Sequence, residues 1–336
     1  MTARSFLSHF APDGGLLQSD EWAKLQAVSG HEAQTFSGTG FEAKAFLHVL
    51  PLIGGYLFIP RGPIVDTTLF DSESLKTRLT EAALSAKAGW IRVEPQTKEA
   101  LAILKQIFGE TQVVQAPRDT NPREIFLVSL VGESSEWLAR MKSKTRYNVR
   151  LALKHGVTVR FSRTTEDVEA FVDLIYATTN RKAIAPHSKA YYRNFLTALP
   201  EEMCVIALAE HDGQVIAASL LAFFEGTAHY LHGGSSDTKR ELMAPFLLHF
   251  KAMEEAKRRE CIRYDFGGVC IRSKTGESDT DWDGITRFKQ GFDPNQETML
   301  FPGTYDIIVS PFQYALYRQS RQLVNIRRVI RKFLSR

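Results

Sequence analysis

Apolar positions along the 336-residue chain switch repeatedly between a period of two and a period of 3.6. In the first half, 43–52 and 56–59 alternate or run apolar as strands, with Gly54-Gly55 as the hairpin signal between them. Residues 74–88 have helical spacing, with Leu75, Leu79, Ala82, Ala83 and Ala86 on one side. A strand at 90–93 ends at Glu94-Pro95, a helix at 98–108 closes on Gly109, and 125–130 is a further strand. Ser19 is placed to cap a short helix through Trp22 and Leu25.

The second half repeats this rhythm. A largely helical run covers 134–155, a strand 157–161, and helices 167–181 and 190–199. A hairpin follows, with 203–210 and 214–224 joined by His211-Asp212-Gly213. Then come a strand at 227–233, a helix at 245–259 and a buried strand at 261–266. The pattern predicts two α/β units of similar size with no low-complexity linker.

Composition narrows the class. Hydrophobic residues make up 44% and charged residues 24%, as in a soluble globular protein. No apolar run is long enough for a membrane span, and the first ten residues lack the apolar core of a secretory signal. Cys204, Cys261 and Cys270 are far apart and form neither a metal pair nor an even disulfide set, so a cytoplasmic setting is expected. The nine histidines include no metal motif. His229 and His232 are expected to point toward one face of a strand. The net charge of +4 is unevenly spread: from Pro311 to Arg336 there are seven basic residues and no acidic one. Such a tail suits an anionic partner, either nucleic acid or a membrane surface.

Residues 203–259 resemble the acetyl-CoA-dependent N-acetyltransferase fold. There, a glycine-rich loop before the helix cradles the cofactor's pyrophosphate on backbone N–H groups. Here the stretch reads Lys239-Arg240-Glu241-Leu242-Met243-Ala244-Pro245. The glycines are gone and Pro245 has no N–H to donate, so acetyl-CoA is not expected as donor.

Three further features carry chemistry. Lys142, Arg146 and Arg150 recur every four residues around Lys144, giving a basic helical stripe that suits phosphates and serves equally as a solvated face. Lys289, inside Arg287-Phe288-Lys289-Gln290-Gly291-Phe292, lies between aromatic residues whose exclusion of water strengthens an ammonium's hold on an oxyanion; a surface lysine beside two core rings reads the same way. Glu94 and Asp265 both sit at strand ends, where a carboxylate can hold or deprotonate an amine or simply cap a turn.

Together these segments resemble the FemABX family of aminoacyl-tRNA-dependent peptidyltransferases. The matching runs are Gln18–Lys24, Ile59-Pro60-Arg61-Gly62-Pro63, the Lys142–Val157 run with its Arg146-Tyr147-Asn148, Asp265-Phe266-Gly267-Gly268, and Phe288-Lys289 before Gly291-Phe292. The resemblance implies two acetyltransferase-like domains without a coiled-coil arm: 1–140 completed by 301–336, and 141–300. It implies a monomeric enzyme without metal or organic cofactor. The donor would be aminoacyl-tRNA and the acceptor the stem-peptide amine of a nucleotide- or lipid-linked peptidoglycan precursor. Lys24 and Arg61 would meet precursor phosphates, Lys289 the transferring group, and Glu94 the acceptor amine. Tyr192 and, at departures from the family pattern, Lys189 and His232 would line the precursor site; Lys142, Lys144, Arg146 and Arg150 would meet tRNA. The basic C-terminal helix would touch tRNA or the anionic inner membrane. A same-fold acyltransferase acting on another amine or a protein N-terminus, and a non-catalytic RNA- or membrane-binding relative, remain as alternatives.

Overall fold

Fourteen strands gather into two separate sheets in the computed structural model, which describes residues 3–181, 185–271 and 282–321. The described residues of Met1–Asn121 and Phe301–Arg336 form one unit and those of Pro122–Leu300 the other.

In the first unit the strands are β1 (Ala33–Gly38), β2 (Phe41–Leu50), β3 (Gly54–Ile59), β4 (Ile64–Val65), β5 (Ala88–Val93), β6 (Val113–Gln115) and β14 (Tyr305–Ile308). Their order is β1-β2-β3-β5-β14-β6, with β4 against β2. β3 and β5 are parallel, joined by the helix Ser72–Ser85, whose first turn is capped by the Asp71 carboxylate accepting from Ser74 N at 2.9 Å. The predicted stripe of that helix (Leu75, Leu79, Ala82, Ala83) is buried with Leu57, Ile91 and Val93. The helix Lys98–Phe108 runs from a Thr97 cap to Gly109, with the predicted bounds. The β2–β3 turn falls at 51–53, and the two glycines expected to make it instead open β3.

Short β14 lies between β5 and β6. Asp306 sits opposite Arg92 in the register, and the two form a bidentate pair at 2.8 and 2.9 Å, both buried. The hydroxyl of Tyr314 donates to Asp306 at 3.0 Å, and Arg92 donates to the Tyr317 hydroxyl at 3.0 Å. Tyr56, Trp90 and Tyr317 stack at 5.0 and 4.6 Å beside this pair. Tyr314 and Tyr317 come from the helical residues 311–321. Arg327, Arg328, Arg331, Lys332 and Arg336 of the basic tail lie outside the described residues.

The second unit holds β7 (Glu124–Ser129), β8 (Thr158–Ser162), β9 (Cys204–His211), β10 (Gln214–Phe224), β11 (Thr227–Ser235), β12 (Arg263–Val269) and β13 (Met299–Leu300), ordered β13-β7-β12-β11-β10-β9-β8. β8 to β11 are successive antiparallel neighbours, with the helices Thr165–Arg181 and Lys189–Ala198 between β8 and β9. The helix Ala244–Arg258 then crosses over to β12, which pairs parallel with β11. This is an acetyltransferase-like arrangement. The boundary differs from the expected residue 140: β7 pairs antiparallel with β12, so 122–140 belong to the second unit. The helical run 134–155 is two helices, Ser134–Arg140 and Ser143–Lys154, broken where buried Met141 turns extended with ψ 147°.

Candidate active site

β11 and β12 stay in register for three pairs only, the last being His229 opposite Asp265. Beyond it β12 shifts register against β7 between Asp265 and Gly268. The Asp265 carboxylate accepts from Gly267 N at 2.7 Å through one oxygen and faces His229 Nδ1 at 3.3 Å with the other. Gly267 has φ +72°, a conformation side chains disfavour, and a Cβ on Gly268 would lie 2.7 Å from Pro122. The Asp-Phe-Gly-Gly run is thus a bulge within β12, where both glycines relieve a steric conflict.

Lys289 meets that bulge. It is 4% exposed, on the helix Asp283–Gln290, and its ammonium donates to the Gly268 carbonyl at 2.6 Å and lies 5.9 Å from the Tyr230 ring centroid. Phe288 and Phe292 pack around it through Phe246 and His249. Burial, reinforced by the Lys289 charge, pushes the His249 imidazole down to about 3, so it is neutral and its Nδ1 meets the Tyr264 hydroxyl at 3.0 Å. The two sequence motifs also touch: Lys142 N donates to Gly291 O at 2.9 Å, and a Cβ on Gly291 would lie 2.2 Å from Thr145 Oγ1.

His229 and His232 do share a face, for a reason the sequence hides. The β10–β11 register skips Leu231, so Tyr230 and His232 sit opposite neighbouring residues of β10. The two rings have different surroundings. His229 is buried against Asp265, and its Nε2 has no hydrogen-bond partner among the described residues. His232 packs edge-on to Tyr192 at 5.2 Å and to Tyr191 at 5.7 Å, and burial followed by the nearby His187 lowers it to about 3. Tyr192 is buried, with its hydroxyl accepting from His187 N at 3.2 Å. Lys189, one turn before Tyr192 on the helix Lys189–Ala198, is exposed and pairs with Asp173 at 3.4 Å. Tyr192 and His232 therefore come together, with Lys189 at the exposed start of the Tyr192 helix.

Residues expected at the precursor in the first unit behave differently. Glu94 is 2% exposed and accepts four hydrogen bonds: Asn121 N at 2.8 Å, Asn121 Nδ2 at 2.6 Å, Thr304 Oγ1 at 3.0 Å and Arg61 N at 3.3 Å. A carboxylate so occupied is a structural anchor. Arg61 is likewise engaged within its own unit. It is buried, 3.7 Å from Asp13 and 3.6 Å over the Phe301 ring, so its charge is already matched inside the unit. Lys24 is exposed on the helix Asp20–Val28, which Ser19 caps as expected by accepting from Trp22 N at 3.0 Å. Sequence reasoning missed Lys44, a fully buried ammonium held by Glu42 at 2.9 Å and Asp20 at 3.0 Å; alternation within β2 puts Glu42 and Lys44 on one face and was the available signal.

The basic stripe is partly dismantled. Lys142, Lys144 and Arg150 are exposed, but half-buried Arg146 donates to the carbonyls of Leu138, Ala139 and Met141 at 3.0–3.2 Å and so closes the end of the preceding helix. Changing Lys142, Lys144 and Arg150 to Gln is expected to weaken tRNA binding and flatten its log–log salt dependence by up to about 0.9 unit per lost phosphate contact, measured by filter binding. Arg146→Gln should instead lower the unfolding midpoint. An unchanged salt slope in the triple variant would mark the stripe as a solvated face.

At the start of the helix Ala244–Arg258, Lys239 and Met243 are both left-handed and Pro245 occupies the first turn. Coenzyme A is expected to show no heat of binding and no thermal shift. A micromolar dissociation constant by calorimetry would overturn the expectation that acetyl-CoA is not the donor.

The FemAB family model matches residues 4–214 and 204–321. The lipid II:glycine glycyltransferase of Staphylococcus aureus is 22% identical over 392 residues, covering 92% of this chain and 91% of its own length. Among solved structures, FemX superposes with a TM-score of 0.77 at 21% identity, over 94% of this chain and 98% of FemX. L-PGS from Bacillus licheniformis superposes with a TM-score of 0.59 at 12% identity, over 91% of this chain and 90% of its own. With family matches across both units and the FemX fold throughout, this chain belongs to the FemAB family.

Proposed function

We propose that this chain transfers an aminoacyl group from aminoacyl-tRNA to the stem-peptide amine of a peptidoglycan precursor, the cross-bridge reaction. The observation that carries this reading is a buried lysine, Lys289, fixed by the Gly268 carbonyl where β11 and β12 lose register. The similarity to a lipid II glycyltransferase supplies the substrate class.

In the reaction, the neutral acceptor amine attacks the ester carbonyl carbon. A C–N bond forms and the carbonyl oxygen becomes an oxyanion. The ester C–O bond then breaks, and the ribose hydroxyl departs with a proton from the former amine. Lys289 stabilises the oxyanion and the leaving oxygen, an interaction strengthened by its dry surroundings. The acceptor ammonium must lose a proton first. With Glu94 occupied by four donors, the Asp265–His229 pair is the better-disposed proton acceptor. Because the ester is already activated, positioning supplies much of the acceleration. Lys24 contacts precursor phosphate, Lys189, Tyr192 and His232 line the precursor site, and Lys142, Lys144 and Arg150 meet the tRNA backbone. No cofactor takes part.

The test is transfer from a mixed pool of charged tRNAs to nucleotide-linked and lipid-linked stem peptide, with product mass as the readout. A mass increase of one aminoacyl residue is expected. Absence of product with every charged tRNA and both acceptors, while a small amine or protein N-terminus is acylated, would replace this reading with the broader acyltransferase one.

A further inference from the structure

The helix Asp20–Val28 carries three charges, Asp20, Glu21 and Lys24. Glu21 pairs with Arg4, and Asp20 lies 3.0 Å from the ammonium of Lys44 on β2. Lys24 is exposed and has no carboxylate partner among the described residues. Yet Asp20 and Lys24 stand four residues apart on one face of the helix, in the acid-before-base order that favours an ion pair.

Burial of Lys44 explains why that pair does not form. Lys44 is 1% exposed, so its three N–H donors are cut off from water and must find acceptors inside the protein. Glu42, itself buried, takes one at 2.9 Å, and Asp20 takes another. The backbone fixes this approach. Gln18, fully buried just before the helix, accepts from Lys44 N at 2.7 Å and donates to Lys44 O at 3.2 Å and to Pro60 O at 2.6 Å. The first turn of the helix is thereby clamped over Lys44. A desolvated ammonium holds a carboxylate more strongly than a solvated one does. The Asp20 side chain is nevertheless 70% exposed, so it is able to turn to Lys24 once Lys44 is gone.

We propose that Lys44 is a positioning residue that withholds Asp20 from Lys24, keeping the Lys24 ammonium uncompensated for an anionic group of the acceptor. The inference rests on the reading of Lys24 as a contact to precursor phosphate, and adds how that contact is kept open.

The experiment is calorimetric binding of nucleotide-linked stem peptide to the full chain at low salt. Glu42→Gln with Lys44→Met removes the buried pair without changing net charge and releases Asp20. This double variant is expected to bind about two- to fivefold more weakly, the worth of an exposed ion pair. Adding Asp20→Asn should restore wild-type affinity while the unfolding midpoint stays at that of the double variant, a recovery that a merely structural role of Lys44 would not give. In the wild type, where Lys44 already holds that carboxylate, Asp20→Asn should change affinity by less than about twofold. Lys24→Gln should weaken binding on the order of tenfold and abolish any further effect of the double variant. Undiminished affinity in the double variant overturns the proposal, as does a loss that Asp20→Asn does not recover. An equal gain from Asp20→Asn in both backgrounds also overturns it, since that marks a diffuse field and not a released partner. So does unchanged binding in Lys24→Gln. A wild type that does not bind precursor overturns both this inference and the transfer reading. A wild type that shows this binding pattern but transfers no aminoacyl group supports the inference and removes the reaction alone.

Discussion

Lys289→Met is expected to slow aminoacyl transfer by roughly two to four orders of magnitude, the range for removing an oxyanion donor or positioned acid. Met keeps most of the aliphatic length, so the packing of Phe288 and Phe292 survives. The Gly268 carbonyl loses a donor, which costs about 1–3 kcal/mol of stability. The fall should appear in kcat and kcat/KM together, because the ammonium acts on charge that develops only in the transition state. Single-turnover kinetics with saturating precursor would read it. Near-normal turnover in a folded Lys289→Met protein would remove this residue from the mechanism.

The largest stability effect is expected at Arg92. Arg92→Met leaves Asp306, which has no exposed surface, without its cation in the middle of the first sheet. Breaking a buried pair in this way costs about 3–5 kcal/mol. The Tyr314 hydroxyl would still serve Asp306, so the lower part of that range is the better expectation. Urea denaturation followed by tryptophan fluorescence, with Trp90 stacked on Tyr56 and Tyr317 as one of the four reporters, reads the change. Restoring the balance with Arg92→Met and Asp306→Leu together should recover part of the loss. A shift below about 1 kcal/mol in the single variant would show the pair to be electrostatically neutral in sum.

Local signals in the sequence reported local structure well. Thr97 and Gly109 mark the ends of one helix, and the His211-Asp212-Gly213 turn fixes a long hairpin, because capping and turn chemistry act within a few residues. What escaped was set by partners distant in sequence. β14 is four residues long and has no pattern of its own; it is a strand because Arg92 and the β5 edge make it one. The β7 boundary, the skip at Leu231 and the three carbonyls that hold Arg146 depend likewise on neighbours that no window of sequence contains. At the site, Lys289 stood out through its flanking aromatics. Glu94 is ambiguous in the sequence: a carboxylate at a strand end is as useful for tying loops together as for holding an amine, and its four donors are visible only in the fold.

The position of β14 also orders the birth of the protein. The first unit is written in two pieces, and the strand between β5 and β6 belongs to the second piece. A ribosome finishes every residue of the second unit before it makes Tyr305. During that interval β5 and β6 have open edges, Arg92 lacks its counter-ion and Glu94 lacks Thr304, so the amino-terminal piece waits as an incomplete sheet while its successor closes. Premature termination near residue 300 would thus yield a chain whose later-made half is sound and whose earlier-made half is open to strand pairing with other molecules.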